Sequence, residues 1–511
     1  MADSQQENTP VSLQQWLAVM GGALAAFMAV LDIQITNASL QNIQGALSAS
    51  PEESTWISTA YLVAEVIIIP MTGWLCRVFS LRRYMLASVV LFIIFSILCG
   101  LSWSLSSMIT FRALQGLFGG ALIPLAFTLI MTLLPEKDRP KGMALFSLSA
   151  VCSPAFGPAL GGWLTDSWSW HMIFFINIVP GAVMYILLTR GLPKGKANLA
   201  ALKQGDWFGI VTMAVGLACL QIVLEEGNRK DWFGSDEIVF LSLISATALV
   251  AFIIREMTCK QPLINLRLMA RPRFGLGSLA NMGIGFCLYS AVYLLPLYLG
   301  MVHGYTPTQI GLVIMWMGVP QLFIVPMVPK LIERFGTVNL AMVGILLFSS
   351  GFWLSGHLNP DFAGPQFHLV QLLRAIGLPL IMTPLMITTT QGMPRHEAAD
   401  ASSLFNILRN LGGAIGMAVM ATLLTNRTLL HDTRIREALP QTVEKLYHAY
   451  PAASYMEPQS TLAMFSMEIN RQASIMAYAD DFILLTWIML GCMGLVWLAG
   501  RYGKKETVAN S

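Results

Sequence analysis

About fourteen runs of roughly 20 predominantly apolar residues, each bounded by a short polar turn, follow one another along this 511-residue sequence. That is the length an α-helix needs to cross the hydrocarbon core of a bilayer, and a helix satisfies its own backbone N–H and C=O groups there. The pattern predicts an all-α polytopic membrane protein. Composition agrees, since charged residues make up 12% of the chain against about 25% in soluble domains. The net charge of +3 comes from dispersed basic residues, so no polybasic tract points to nucleic acid as a partner. Seven cysteines stand singly, with no Cys-x-x-Cys pair, and read as packing residues rather than disulfides or metal ligands.

Lys and Arg set the expected orientation, because cytoplasmic loops hold them in excess. With the N-terminus inside, Arg77, Arg82 and Arg83, then Lys137, Arg139 and Lys141, then Arg190, Lys194, Lys196 and Lys203 fall on the cytoplasmic side. Arg255, Lys260, Arg267, Arg271 and Arg273, then Lys330 and Arg334, then Arg501, Lys504 and Lys505 follow the same rule, and the opposite loops hold almost none apart from Arg229, Lys230 and the long final loop. Both termini are expected in the cytoplasm, which requires an even helix count and favours fourteen over thirteen. The predicted order is a tail (1–15), a six-helix bundle (16–190), two inserted helices (191–259) and five helices of a second bundle (260–425). A long periplasmic loop (426–481), the last helix (482–500) and a second tail (501–511) complete it. Within the loop, Leu439, Val443, Leu446 and Tyr447 trace an amphipathic stripe behind Pro440, which predicts one or two helices against the membrane mouth.

The two halves echo each other, as transporter repeats do. Pro70 to Phe79 aligns with Pro326 to Phe335 at four identical positions in ten, and Phe111-Arg112-Ala113-Leu114-Gln115-Gly116 aligns with Leu373-Arg374-Ala375-Ile376-Gly377.

Charges inside apolar runs carry the chemistry. An ionisable side chain at the bilayer centre costs at least about 2.5 to 3.5 kcal/mol, so it is kept where it faces a cavity and has a task. Asp32 lies deep in the first run and Glu65 midway along the second; Arg112 has apolar sequence on both sides. Burial opposes ionisation of a carboxyl and a nearby arginine favours it, a balance that makes a switchable proton carrier. For Asp32 the alternative is one half of a fixed ion pair, and for Glu65 it is attraction of a cationic substrate. Arginine stays protonated, so Arg112 tunes a carboxylate or holds an anion rather than carrying the proton. Arg374 is its echo in the second half. Small residues in Ser153-Pro154-Ala155-Phe156-Gly157-Pro158-Ala159-Leu160-Gly161-Gly162 allow close helix approach, and proline bends the helix, which suits a packed but mobile contact.

Taken together, these residues resemble, over nearly the whole chain, the fourteen-helix drug:proton antiporters of the major facilitator superfamily, EmrB type. Leu31-Asp32 through Asn37-Ala38 is similar to their helix-one motif, with Gln34 and Gln41 replacing the usual Thr and Pro. The segment around Arg112 resembles their helix-four arginine motif, and Gly157-Pro158 with Gly161-Gly162 resembles the helix-five antiporter motif, with Ser153 in place of its leading glycine. In the loop after the second helix Arg77 stands where an acidic residue is expected and Ser80 replaces a glycine, whereas Glu333-Arg334-Phe335-Gly336 keeps the standard form. The resemblance implies a major facilitator fold of two six-helix halves plus two inserted helices. It also implies export of hydrophobic or amphipathic small molecules across the inner membrane, with the proton gradient as energy source and no cofactor.

Asp32 and Arg112 are the implied coupling pair; Glu65, on the cost of its burial alone, is a further proton-coupling candidate or belongs to substrate choice. The expected substrate cavity takes in Glu65, Gln34, Asn37, Gln115 and Arg374. Implied partners are a periplasmic membrane-fusion adaptor, which the long loop would contact, and an outer-membrane channel. No Gly-x-x-x-x-Gly-Lys-Ser/Thr loop occurs, so ATP is not expected to drive the cycle directly. Other readings of the same fold are an exporter of one metabolite or siderophore, an inward symporter, and a receptor or scaffold that moves nothing.

Overall fold

A computed structural model describes residues 11–509 apart from 136, 199, 201–204, 260–261, 392, 394–396 and 439–457, and it is helical with no strand among the described residues. The long helices are α1 (Leu13–Ala38), α2 (Trp56–Phe79), α3 (Leu81–Gly100), α4 (Leu105–Leu133), α5 (Arg139–Ser167), α6 (Met172–Gly191) and α7 (Trp207–Glu226). After them come α8 (Asp236–Thr258), α9 (Pro272–His303), α10 (Thr308–Phe335), α11 (Thr337–Ser355), α12 (Gly364–Thr390), α13 (Ala398–Ala438) and α14 (Pro458–Ala509). Thirteen described helices are long and apolar enough to cross a membrane. The fourteenth is α5, which lies along α1.

Starts and breaks follow local chemistry. Ser12 caps α1 and Ser104 caps α4, each reciprocated by the residue three positions on, so two otherwise orphaned N–H groups are satisfied at each helix start. Pro320, Pro326 and Pro329 remove backbone donors from α10, which passes through a 3-10 turn at Val325–Met327. In α6 regular α-helix lapses between Phe175 and Ile178, leaving Asn177 at the bend.

Two bundles form, α1 to α6 and α9 to α14. They meet where α5 packs on α10 and α2 on α13. The internal repeat is visible in the backbone: Ser80 (φ 68°, ψ 146°) and Gly336 (φ 79°, ψ 157°) take the same left-handed turn after corresponding helices. The inserted hairpin straddles the seam, with α7 against α2 and α13 and α8 against α7. Its tip touches both halves. Glu226 accepts from Thr55 Oγ1 at 3.3 Å, while Trp232 Nε1 donates to Thr422 Oγ1 at 2.9 Å. Large apolar side chains such as Phe240, Leu243, Ile253 and Ile254 of α8 face outward, as lipid contact requires.

At 41 and 52 residues, α13 and α14 are about 60 and 80 Å long, at least twice the hydrocarbon thickness. They run on as a two-helix projection, held by Arg436 donating to Ser466 Oγ at 3.1 Å and by His431 bonded to Asp480 at 3.0 Å. The segment 426–481, expected to be a long loop folded as one or two helices against the membrane mouth, is in its described parts the continuation of these two helices. The stripe Leu439 to Tyr447 lies outside the described residues. Below, the face holding Leu13 and Ala509 is the proximal face and the projection is on the distal one.

Candidate functional site

Asp32, from the distal third of α1, and Arg112, from α4, form an ion pair of 2.5 Å with both side chains 1% exposed. The carboxylate is fully occupied. Its Oδ2 takes Arg112 Nη1, and its Oδ1 accepts from Gln115 Nε2 at 3.0 Å and Asn177 Nδ2 at 2.7 Å. Arg112 holds further partners: Nη1 donates to Gln115 Oε1 at 2.9 Å, Nε donates to the Ile57 carbonyl at 3.3 Å, and the Tyr61 ring lies 4.3 Å from the guanidinium. Asn177 is itself fixed by donating to Ser96 Oγ at 2.9 Å. Three helices, α1, α4 and α6, thus meet at one carboxylate; α3 supports Asn177 through Ser96, and α2 gives Arg112 a carbonyl and a ring.

Glycines make room for this. A Cβ on Gly116 would sit 2.8 Å from Tyr61 Cα, and one on Gly120 would sit 2.8 Å from Glu65 Cα. The glycine stripe of α4 therefore presses α2 against it. Glu65 is buried at that contact, one helix away from the ion pair.

On the other side of α1 lies α5. Gly157 abuts Gln34, a Cβ on Gly161 would meet the Ile35 carbonyl at 2.9 Å, and Ser39 Oγ is 2.7 Å from Thr165 Oγ1. Ser153, where the motif usually has glycine, donates to the Phe27 carbonyl of α1 at 2.8 Å. Gly162 is buried on the same helix. From the second half, Gly311 of α10 packs on Ala159, where a Cβ would meet the Ala159 amide at 2.8 Å. The helix bearing the Gly157–Gly162 packing motif is wedged between the helix that carries Asp32 and the opposite bundle.

Between the bundles is a cavity of about 1570 Å³, mouth included, lined by α1, α4, α5 and α9 to α13. Its walls are mainly apolar, with Phe127, Phe146, Met317 and Met382 among them. Gln34, Tyr289, Gln321, Gln371, Arg374 and Arg409 supply polar groups, and none of the described lining residues is acidic. Arg374 is 1% exposed. Its Nη1 donates to Gln371 Oε1 at 3.3 Å and its Nη2 to Ser355 Oγ at 3.4 Å, while its Nε and that of Arg409 have no partner. Phe482 lies 5.4 Å from Arg374 as Phe174 lies 5.9 Å from Arg112, so the two arginines are equivalent in the repeat. The partners are not: α9 offers no carboxylate where α1 has Asp32.

Of the residues expected in the cavity, Gln34 and Arg374 line it, as does Pro158 of the packing motif. Gln115 belongs to the ion pair. Asn37 accepts from Ser58 Oγ at 2.6 Å near the distal end of α1. Neither they nor Glu65 are among the lining residues. Sequence reasoning missed Asn177, Ser96 and Tyr61, although an asparagine in the apolar run Phe174-Phe175-Ile176-Asn177-Ile178-Val179 was a usable signal.

The sequence pattern of the Major Facilitator Superfamily matches residues 22–417. The chain is 34% identical over 497 residues to the colistin resistance protein EmrB of Acinetobacter baumannii, covering 96% of this chain and 97% of that one. It is 32% identical to the multidrug export protein EmrB of Escherichia coli, over 97% of each, and 31% identical to the fatty acid resistance protein FarB of Neisseria gonorrhoeae, over 95% of this chain and 96% of the relative. Its fold matches the crystal structure of the peptide transporter POT with a TM-score of 0.58 at 15% identity, over 95% and 94% of the two chains. The chain therefore belongs to the major facilitator superfamily of membrane transporters, within its EmrB-type family.

Proposed function

We propose that this chain is a proton-driven exporter of hydrophobic or amphipathic compounds, working by alternating access across the inner membrane. The observation that carries the reading is the buried Asp32–Arg112 pair, held on the helix against which the antiporter motif packs. Protonating Asp32 at Oδ2 removes its attraction for Arg112. The guanidinium keeps the Gln115 and Ile57 oxygens and the Tyr61 ring, so the proton frees α1 without stranding the arginine. Through α5, a movement of α1 is passed to α10 and the second half. Deprotonation restores the bond from Oδ2 to Arg112 and draws the helices together again.

The apolar cavity walls with two guanidiniums and no carboxylate favour substrates with an acidic head on an apolar body, which accords with relatives named for fatty acid resistance and multidrug export. The projection of α13 and α14 runs on beyond the length a bilayer crossing needs, and it exposes Leu429 and Met467 at 67% and 74%. It is the proposed contact for a periplasmic adaptor and, through that, an outer-membrane channel, with the proximal face in the cytoplasm.

Proteoliposomes with an acidic lumen test the reading. Dansyl-undecanoate, a fluorescent fatty acid, should accumulate only while the gradient lasts, against its passive tendency to leave an acidic compartment. Transport indifferent to the gradient would refute proton coupling. Arg409→Gln should weaken uptake of dansyl-undecanoate more than that of its neutral methyl ester; equal effects would refute recognition of an acidic head.

A further inference from the structure

Beyond the Asp32 centre, a further acidic side chain among the described residues is fully buried with neither oxygen bonded. Asp481 of α14 is 0% exposed, and neither carboxyl oxygen has a hydrogen-bond partner. It lies on the side of α14 that packs on α9. A turn earlier the Tyr478 ring meets Tyr298 at 5.4 Å, and a turn later the Leu485 carbonyl accepts from the Cys287 thiol at 3.6 Å. The ionisable groups around it are few. From α9 comes Tyr293, within electrostatic reach of Asp481 and of Glu225 on α7. From α13 comes Arg427, and from its own helix Asp480 and Tyr478. The packed helix α11 carries no ionisable side chain in Thr337–Ser355.

Asp480, next in the chain, turns instead to the distal surface, where it is bonded to His431 Nε2 at 3.0 Å and lies 3.7 Å from Arg427 Nη1. A carboxylate removed from water needs donors or a countercharge in contact. Asp32 has three donors; Asp481 has none. The first is bonded as an ionised carboxylate is, and the second has the surroundings of a neutral acid.

We propose that Asp481 is a second proton-binding site, on the C-terminal half, filled from the distal face through His431 and Asp480 and emptied when α14 shifts against α9. In filling, a proton from water passes to the Asp480 carboxyl beside His431, and a water entering between the two carboxyls relays it to an Asp481 oxygen. In emptying, the Asp481 proton goes to water admitted by the shift, and Arg427 supplies the countercharge to the carboxylate left behind. The inference rests on the reading of the chain as proton-driven, and places part of that coupling outside the N-terminal half.

Infrared difference spectroscopy of the full chain in detergent at neutral pH reads the C=O stretch of protonated carboxyls. One component of that band should vanish in Asp481→Asn, persist in Asp32→Asn, and be present but displaced in Asp481→Glu. A band unaltered by Asp481→Asn overturns the proposal. In proteoliposomes, Asp481→Asn should move fewer protons per dansyl-undecanoate than the unsubstituted chain, and Asp481→Glu should restore the ratio; an unchanged ratio also overturns it. If Asp32→Asn keeps gradient-driven transport while Asp481→Asn lowers the ratio, the role given to Asp32 fails and this one stands.

Discussion

Asp32 owes its behaviour to three donors, and one of them, Asn177, comes from the bend in α6 rather than from any charged motif. Hydrogen bonds to charged groups contribute about 1.5 to 3 kcal/mol, so Asn177→Leu should slow gradient-driven transport by about tenfold or more, measured as initial uptake rate at equal reconstituted protein. A rate within twofold of the unsubstituted chain would remove Asn177 from the mechanism. Ser80 is a second residue-scale case, a non-glycine residue at φ 68° where its repeat partner is Gly336. Such a conformation costs a side chain on the order of 1 kcal/mol, and Ser80→Gly should raise the thermal midpoint of the purified protein. Asp32 and Arg112 were legible because a charge in an apolar run is expensive. Asn177 and Ser96, uncharged, stood out far less, and Asp481 was hidden because Glu468, Arg471 and Asp480 before it made the segment read as a loop.

At the scale of helices, hydropathy located the spans, since each needs only length and apolar content. The break in α10 and the continuation of α13 and α14 past the bilayer were less legible, because backbone hydrogen bonding, not hydropathy, decides where a helix stops. The small-residue segment Ser153 to Gly162 is legible as a packing surface, and its neighbours come only from tertiary structure: α1 on one side, α10 on the other. Packing also explains the glycines of α4. Gly116→Ala would press a Cβ against the Tyr61 backbone, which cannot withdraw as a side-chain end can. The expected loss is about 1 to 3 kcal/mol, read as a lowered thermal midpoint together with reduced transport. An unchanged midpoint would mean that α2 and α4 are not as close as described.

The whole molecule is two bundles around an apolar cavity, with a buried ion pair in one bundle and an arginine without a carboxylate in the other. That asymmetry was invisible in the repeat, which aligned Arg112 with Arg374 and made them look alike. Across the seam, the hairpin of α7 and α8 ties Thr55 of one half to Thr422 of the other through Glu226 and Trp232. Rocking of the halves has to strain or release this tie, so Trp232→Phe, which removes the indole donor, should change the rate of interconversion followed by a distance probe across the distal face. Equal rates in both proteins would show that the tie does not resist the motion. The central claim is that a proton on Asp32 and a substrate in the cavity exchange across the membrane. Lumenal pH, followed with pyranine in acid-loaded proteoliposomes as dansyl-undecanoate is added outside, tests it most directly: the unsubstituted chain should alkalinise the lumen, and Asp32→Asn should bind the fatty acid yet move no protons, whereas equal proton flux in the two would contradict the account.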